Sequence, residues 1–302
     1  ASVNVDPSDP QSPKSARQPN SFVYRFEPYD KTDLTKGGVL QALQVSIDSQ
    51  PLTFHADDPV GDTFSTAQLE LHTLGTSYPI DWVTVHDTAV DGFSPFDANA
   101  AAKAAGATPF KRPENAAFQP GSDFKTFFFD PTGDTNSNSG NQPELAARGA
   151  WGSIFRVDLD NTLEHGQISI VVLGTAEQSS FDNLAFADNN TLLAAEDRGD
   201  TLHKQLNTLD SVWAYDISSG VATKVQRFLA LGRDLASQQD AAYADASTSG
   251  FQNDGDNEPT GLHISDGSTS IRGLLGTDLD SEEAHWFITQ QHGLNTVYEI
   301  LT

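Results

Sequence analysis

Residues 112–130 read "RPENAAFQPGSDFKTFFFD". An acid and an amide, Glu114 and Asn115, precede a small apolar run, and an apolar strand then closes on Asp130. An ionised carboxylate at the mouth of a buried strand is costly unless something pairs with it. The same order returns in "FDNLAFADNNTLLAAEDRGD" (181–200) and in "NEPTGLHISDG" followed by "HWFITQQHG" (257–267 and 285–293). Each copy has an acid, a polar or Pro residue, two small or apolar residues and a bulky apolar one. A turn, a second apolar strand and a later strand with alternating aromatics follow. Those later strands are "SIFRVDL", "SVWAYDI" and "NTVYEI".

The leading acids are Glu114, Asp182 and Glu258, a period of about 70 residues. A propeller blade takes roughly 40–50 residues, and insertions lengthen it. "GDTNSNSGNQPE" and "STSGFQNDGDNEP" read as such insertions. Radial repetition of small sheets gives a β-propeller whose inner strands line a channel. An acid opening each inner strand then points into one mouth, where a shared cation satisfies several carboxylates together. The alternative is a set of turn acids that cap local backbone N–H groups.

The expected fold class is all-β, a β-propeller that is partial in this chain, with one or two short helices. Further strands are read at 22–26, 80–85, 168–174 and 285–290. "DANAAAKAAGA" (97–107) reads as a helix with Asp97 as its N-cap, and 232–246 as a second. Residues 1–20, rich in Pro, Ser, Asp and Asn, read as an extended, weakly ordered arm, and residues 21–302 as the propeller portion. "SFVYRFEP" (21–28) has closing-strand character with no opening strand before it. Upstream blades are therefore expected from a removed N-terminal fragment or from a second chain.

The charge excludes some functions. The net charge is −25, from 42 acids against 17 bases, with no basic stripe to neutralise phosphates, so nucleic acid is not an expected partner. No Cys is present, hence no disulfide, thiolate ligand or cysteine nucleophile. No apolar run of about 18 residues exists, so no membrane-spanning helix is expected. No G-x-S-x-G elbow and no phosphate-cradling Gly-rich loop occurs. Acid-rich loops suit calcium, and "NDGDNE" (253–258) is a candidate loop for it.

The chain resembles the bacterial PhoX-type alkaline phosphatase family. The resemblance rests on "SFVYRFEPYDKTDLTKGGVLQALQV", "FKRPENAAF", "WGSIFRV", "FDNLAFADNNTLLAAED", "NEPTGLHISDG" and "FITQQHGLNTVYEI", in family order, matching the C-terminal two thirds of the family. It implies a secreted or periplasmic, calcium-dependent propeller that hydrolyses phosphate esters with a cluster of iron and calcium. It implies that Glu114 is a metal ligand and that Arg112, two residues before it, grips phosphate. Asp182 falls on a further acidic ligand, and Glu196, Asp197 and Glu258 on calcium-binding or supporting acids. Asn115, Asn183, Asn257 and His292 are candidates for supporting positions beside the metal. The cysteine and upstream glutamate that complete the family's iron site have no counterpart here, so this chain alone is not expected to hold the full cluster.

Three functional classes follow. The first is a metal-dependent phosphomonoesterase, the second a non-catalytic calcium-stabilised propeller that serves as a binding or structural module, and the third a lactonase-like propeller hydrolase. Arg112 beside Glu114 favours phosphate chemistry over the third, because a guanidinium presents a fork of donors matched to phosphate oxygens.

Overall fold

The computed structural model describes residues 1–230, 258–274, 284–291 and 296–301. The helix read at 232–246, most of the loop at 253–258, Asn257 and His292 lie outside the described residues. In chain order the strands are β1 (Ser2–Val3), β2 (Ala16–Arg17), β3 (Tyr24–Pro28), β4 (Gly38–Ile47), β5 (Gln50–Pro51) and β6 (Ser77–Asp87). They continue with β7 (Pro113–Phe118), β8 (Thr126–Pro131), β9 (Ser153–Leu159), β10 (His165–Leu173), β11 (Phe181–Phe186) and β12 (Thr191–Glu196). The last are β13 (Ser211–Asp216), β14 (Lys224–Ala230), β15 (Glu258–Ser265), β16 (His285–Gln291) and β17 (Val297–Ile300).

Three antiparallel meanders follow the sequence repeats: β7 to β10, β11 to β14, and β15 to β17. Their first strands, β7, β11 and β15, lie side by side. This is the arrangement of propeller blades around a channel, and the chain is all-β with a few short helices. The turns follow from Asp side chains that bond the backbone two residues on. Asp160 accepts from Thr162 N at 2.9 Å between β9 and β10, and Asp188 from Asn190 N at 2.7 Å between β11 and β12.

The first meander's outer strand does not end the sheet. Residues 165–169 of β10 pair with 77–81 of β6, which pairs in turn with β4 and then β3. One eight-stranded sheet results, and β3 forms its edge. The repeat pattern did not announce this fusion, because β4 and β6 carry no copy of the leading-acid motif. "SFVYRFEP" supplies the edge strand β3, and its sheet is not left without partners as its closing-strand character led one to expect, because β3 pairs with β4, and β4 through β6 with β10.

The continuous apolar runs are explained by burial on both strand faces, since alternate residues point opposite ways. Phe127 and Phe129 of β8 join a core with Leu43, Ile80, Phe155 and Ile168, while Phe128 joins a second core with Phe181, Phe186 and Trp213. On β12, Leu192 and Ala194 face that second core, and Leu193 and Ala195 face a third with Ile264 and Ile288. The blades are thus bonded to one another by shared apolar layers.

The helix Ala98–Ala104 forms where expected, with the Asp97 side chain accepting from Ala100 N at 3.0 Å. Residues 1–20 are packed on the body. Val3, Val5 and Ala16 are buried with Leu145 and Ala150, and Arg17 N donates to Asp134 at 3.0 Å. Three small apolar residues among polar ones suffice to tie this segment down.

Candidate functional site at the inner-strand mouth

Glu114 and Asp182 occupy the same special position in consecutive blades. Each is the extra residue of a β-bulge: the β7–β8 register shifts between Pro113 and Asn115, and the β11–β12 register between Phe181 and Asn183. A bulge bends its strand and re-aims a side chain out of the ladder. Two residues before each acid, the backbone is left-handed, with φ of 59° at Arg112 and 56° at Ser180. That region is unusual for residues other than glycine and must be held by its surroundings. The holding bonds are equivalent too. Thr132 N, just after β8, donates to Arg112 O at 2.9 Å, and Asp197 N, just after β12, donates to Ser180 O at 2.8 Å.

The amides after the two acids link the blades. Asn115 Nδ2 donates to Asn183 Oδ1 at 3.5 Å, Asn183 Nδ2 donates to Thr260 Oγ1 at 3.0 Å, and Gly261 N donates to Asn183 Oδ1 at 3.1 Å. This ladder sets β7, β11 and β15 in register. A groove of about 380 Å³ runs along the three strands, lined by Asn115, Asn183 and His263 among others.

Charges gather where the ladder begins. Arg112 Nε donates to Glu114 Oε1 at 3.1 Å, and both side chains are partly exposed. Burial pushes Asp182 up to about 6, and the negative charges of Asp197 and Glu114 add to the shift while Arg112 opposes it. Asp130 is fully buried. Its Oδ1 accepts from Asn115 N at 2.9 Å and its Oδ2 has no hydrogen-bond partner among the described residues. Burial holds its carboxyl well above the usual range, and Asp182 and Glu114 push it further. Burial and like charge both favour the neutral acid, and a cation beside the oxygens would reverse that preference.

The structure therefore brings together Glu114, Asp182 and Asp197 with Arg112, and adds Asp130. Asp130 is the acid of the opening motif that motif reading left without a role. Its place opposite the bulge, paired in register with Asn115, is the signal that sets it beside Glu114 and Asp182. Glu258 opens the adjacent β15 and is 7% exposed. Glu196 lies in a different environment. Fully buried, it meets Arg198 Nη2 at 2.7 Å and accepts from Ser179 N at 2.8 Å and Ser211 N at 3.0 Å. Its oxygens are engaged in joining the turn before β11 to the start of β13.

Carboxylate oxygens are the right donors for calcium. Among the described residues, however, no three acidic or histidine side chains are grouped closely enough to hold a metal ion. The mouth as described does not by itself fit a calcium or iron centre.

Comparison with known proteins bears on the fold and the family. The solved structure of Pseudomonas fluorescens PhoX in complex with vanadate, a transition state analogue, is similar at 14% identity with a TM-score of 0.53. The match covers 91% of this chain and 45% of that one, so the chain spans less than half the length of this relative. A search of curated proteins returns no match. The family model for alkaline phosphatase PhoX matches residues 6–272, which takes in the bulged strands, their acids and Arg112, and the chain belongs to that family.

Proposed function

We propose that this chain carries part of the active site of a metal-dependent phosphomonoesterase. The observation that carries the reading is Arg112 paired with Glu114 at the bulged, left-handed start of β7, beside Asp182, whose carboxyl is pushed up to about 6. Arg112 would hold phosphoryl oxygens through its fork of donors, and its charge would oppose the negative charge built up in transfer. The vanadate held by the Pseudomonas relative supports this reading by analogy. Calcium is the cation these oxygens suit, with iron as a further candidate. The ligands lacking among the described residues would come from a part that completes the ring, either the N-terminal portion of the protein or a second chain. No helix of the described residues is long and apolar enough to cross a membrane. Secretion or a periplasmic site is part of the proposal.

Hydrolysis of p-nitrophenyl phosphate, with calcium and with a chelator, tests it. Activity is expected only with metal and only when the ring-completing part is present. Arg112→Ala should lower kcat/KM by about 100-fold or more, on the scale of a lost transition-state donor. A metal-loaded, complete assembly without activity on any phosphomonoester would leave the second reading, a non-catalytic calcium-stabilised propeller. The absence of a three-ligand group among the described residues favours that second reading for this chain in isolation.

A further inference from the structure

A cleft of about 610 Å³ lies between residues 1–21, the start of β7 and the turn at Arg198. In a chain of net charge −25 its lining is reversed. Five of the 17 Lys and Arg residues line it, Lys14, Arg17, Lys111, Arg112 and Arg198, with Asp134 as its one acid among the described residues. Carboxylates match three of these cations: Asp134 meets Lys111 at 3.1 Å, Glu114 meets Arg112 at 3.1 Å, and Glu196 meets Arg198 at 2.7 Å. Lys14 and Arg17 are left over, and both are exposed. Lys14 has no ion pair among the described residues. The Arg17 guanidinium donates to two neutral acceptors, Asp134 O at 3.3 Å and Thr135 Oγ1 at 3.4 Å. The Ser15 hydroxyl also lines the cleft, buried and without a hydrogen-bond partner.

We propose that this cleft binds a second phosphate group of the substrate, so that phosphomonoesters carrying a second phosphate are preferred to those with neutral leaving groups. This rests on the phosphomonoesterase reading, because Arg112 belongs both to the mouth and to the cleft. A phosphoryl group at Arg112 has the cleft beside it; Lys14 has no carboxylate partner among the described residues, and the one carboxylate near Arg17, that of Asp134, is already ion-paired with Lys111. The volume is that of an ordinary small-molecule site of ~300–1,000 Å³. At 0.1 M salt the screening length is about 10 Å, so a bound anion feels these cations more than the distant net negative charge.

The test is calorimetric titration of the full chain with fructose 1,6-bisphosphate and with fructose 6-phosphate at 0.1 M salt, followed by turnover of both by the calcium-loaded assembly that includes the ring-completing part. The bisphosphate should bind about tenfold more tightly. In the Lys14→Ala/Arg17→Ala double variant the advantage should fall to about twofold or less, with fructose 6-phosphate binding unchanged. Lys14→Ala alone, at a side chain with no hydrogen bond or ion pair among the described residues, should remove about half of it on a logarithmic scale and keeps the test valid if the double variant does not fold. Equal affinities in the wild type overturn the proposal, as does an advantage that survives the substitutions. An advantage that depends on Lys14 and Arg17, while the calcium-loaded assembly with its ring-completing part hydrolyses neither ester, supports the anion site and sinks the phosphomonoesterase reading.

Discussion

Two fully buried carboxylates close the second strands of neighbouring blades, and their fates differ. Asp130 on β8 has one backbone donor and an oxygen without a partner. Glu196 on β12 has a guanidinium and two backbone N–H groups. The register explains the contrast. Asn115 pairs with Asp130, and its counterpart Asn183 pairs with Ala195, so Glu196 stands one residue further on. One step along a strand reverses the face. Asp130 is thereby set among Glu114 and Asp182, and Glu196 is set toward Arg198. A single step of register separates an acid engaged by a guanidinium and two backbone donors from a buried acid with one oxygen left without a hydrogen bond among the described residues.

The strongest way to break the comparison is to remove Arg198. Arg198→Ala leaves Glu196 buried without its charge partner, which should cost about 3–5 kcal/mol in urea unfolding. The double variant Glu196→Gln/Arg198→Met should recover much of that loss, because it removes both charges together. A cost below about 1 kcal/mol for Arg198→Ala would show that Glu196 is not held as described.

The mouth acids should behave in the opposite sense, and pH shows it. Asp182 has a folded-state pKa of about 6 against an ordinary 3.8. Between those values the folded protein keeps a proton that the unfolded chain has released. In chelator, the contribution of Asp182 to stability should therefore be full below about pH 4 and fall as pH rises through about 6, by about 1–2 kcal/mol once partial exposure is allowed for; buried His72, lowered to about 4, acts in the opposite sense over the same range, so the contribution is read as the difference between wild type and Asp182→Asn. Asp130 is shifted in the same direction. Asp182→Asn should flatten that fall, and Asp130→Asn should raise the melting temperature at neutral pH. Calcium, if these acids hold it, should raise the wild-type midpoint and have less effect on both variants. Wild-type and Asp182→Asn profiles of the same slope between pH 4 and 7 in chelator would contradict the arrangement.

Much of the fold was legible because the blades repeat a local code. "SIFRVDL" is β9, "PENAAF" is β7, and "HWFITQ" lies within β16. Alternating or fully apolar strands between Asp and Gly turns state their own boundaries. The pairing of β10 with β6 was not legible, because it joins segments about 90 residues apart that share no motif. At the site, Glu114 and Asp182 could be read from their common place in the repeats. The different face taken by Glu196 could not, since one step of register is invisible until the bulges are located. The cations of residues 14 and 17 were hidden by a polar composition that suggested a loose arm, although three small apolar side chains anchor it.

The smallest effect concerns the paired left-handed residues. Ser180 is buried, its hydroxyl has no partner, and its φ is 56°. Glycine adopts that conformation without a Cβ clash, so Ser180→Gly should stabilise the protein by about 0.5–1 kcal/mol. It should leave phosphatase activity near its wild-type level, since Ser180 presents no charge to the mouth. Arg112 has nearly the same backbone, with φ of 59°. Its ion pair with Glu114 is partly exposed and adds only about 0–1 kcal/mol. Arg112→Gly should therefore change stability little in either direction while removing activity. If neither glycine variant loses stability but only Arg112→Gly loses turnover, the left-handed start of β7 is backbone strain retained for the guanidinium it presents. If Ser180→Gly destabilises by more than about 1 kcal/mol, the backbone turns leading into β7 and β11 are not equivalent and the blade-to-blade correspondence must be redrawn.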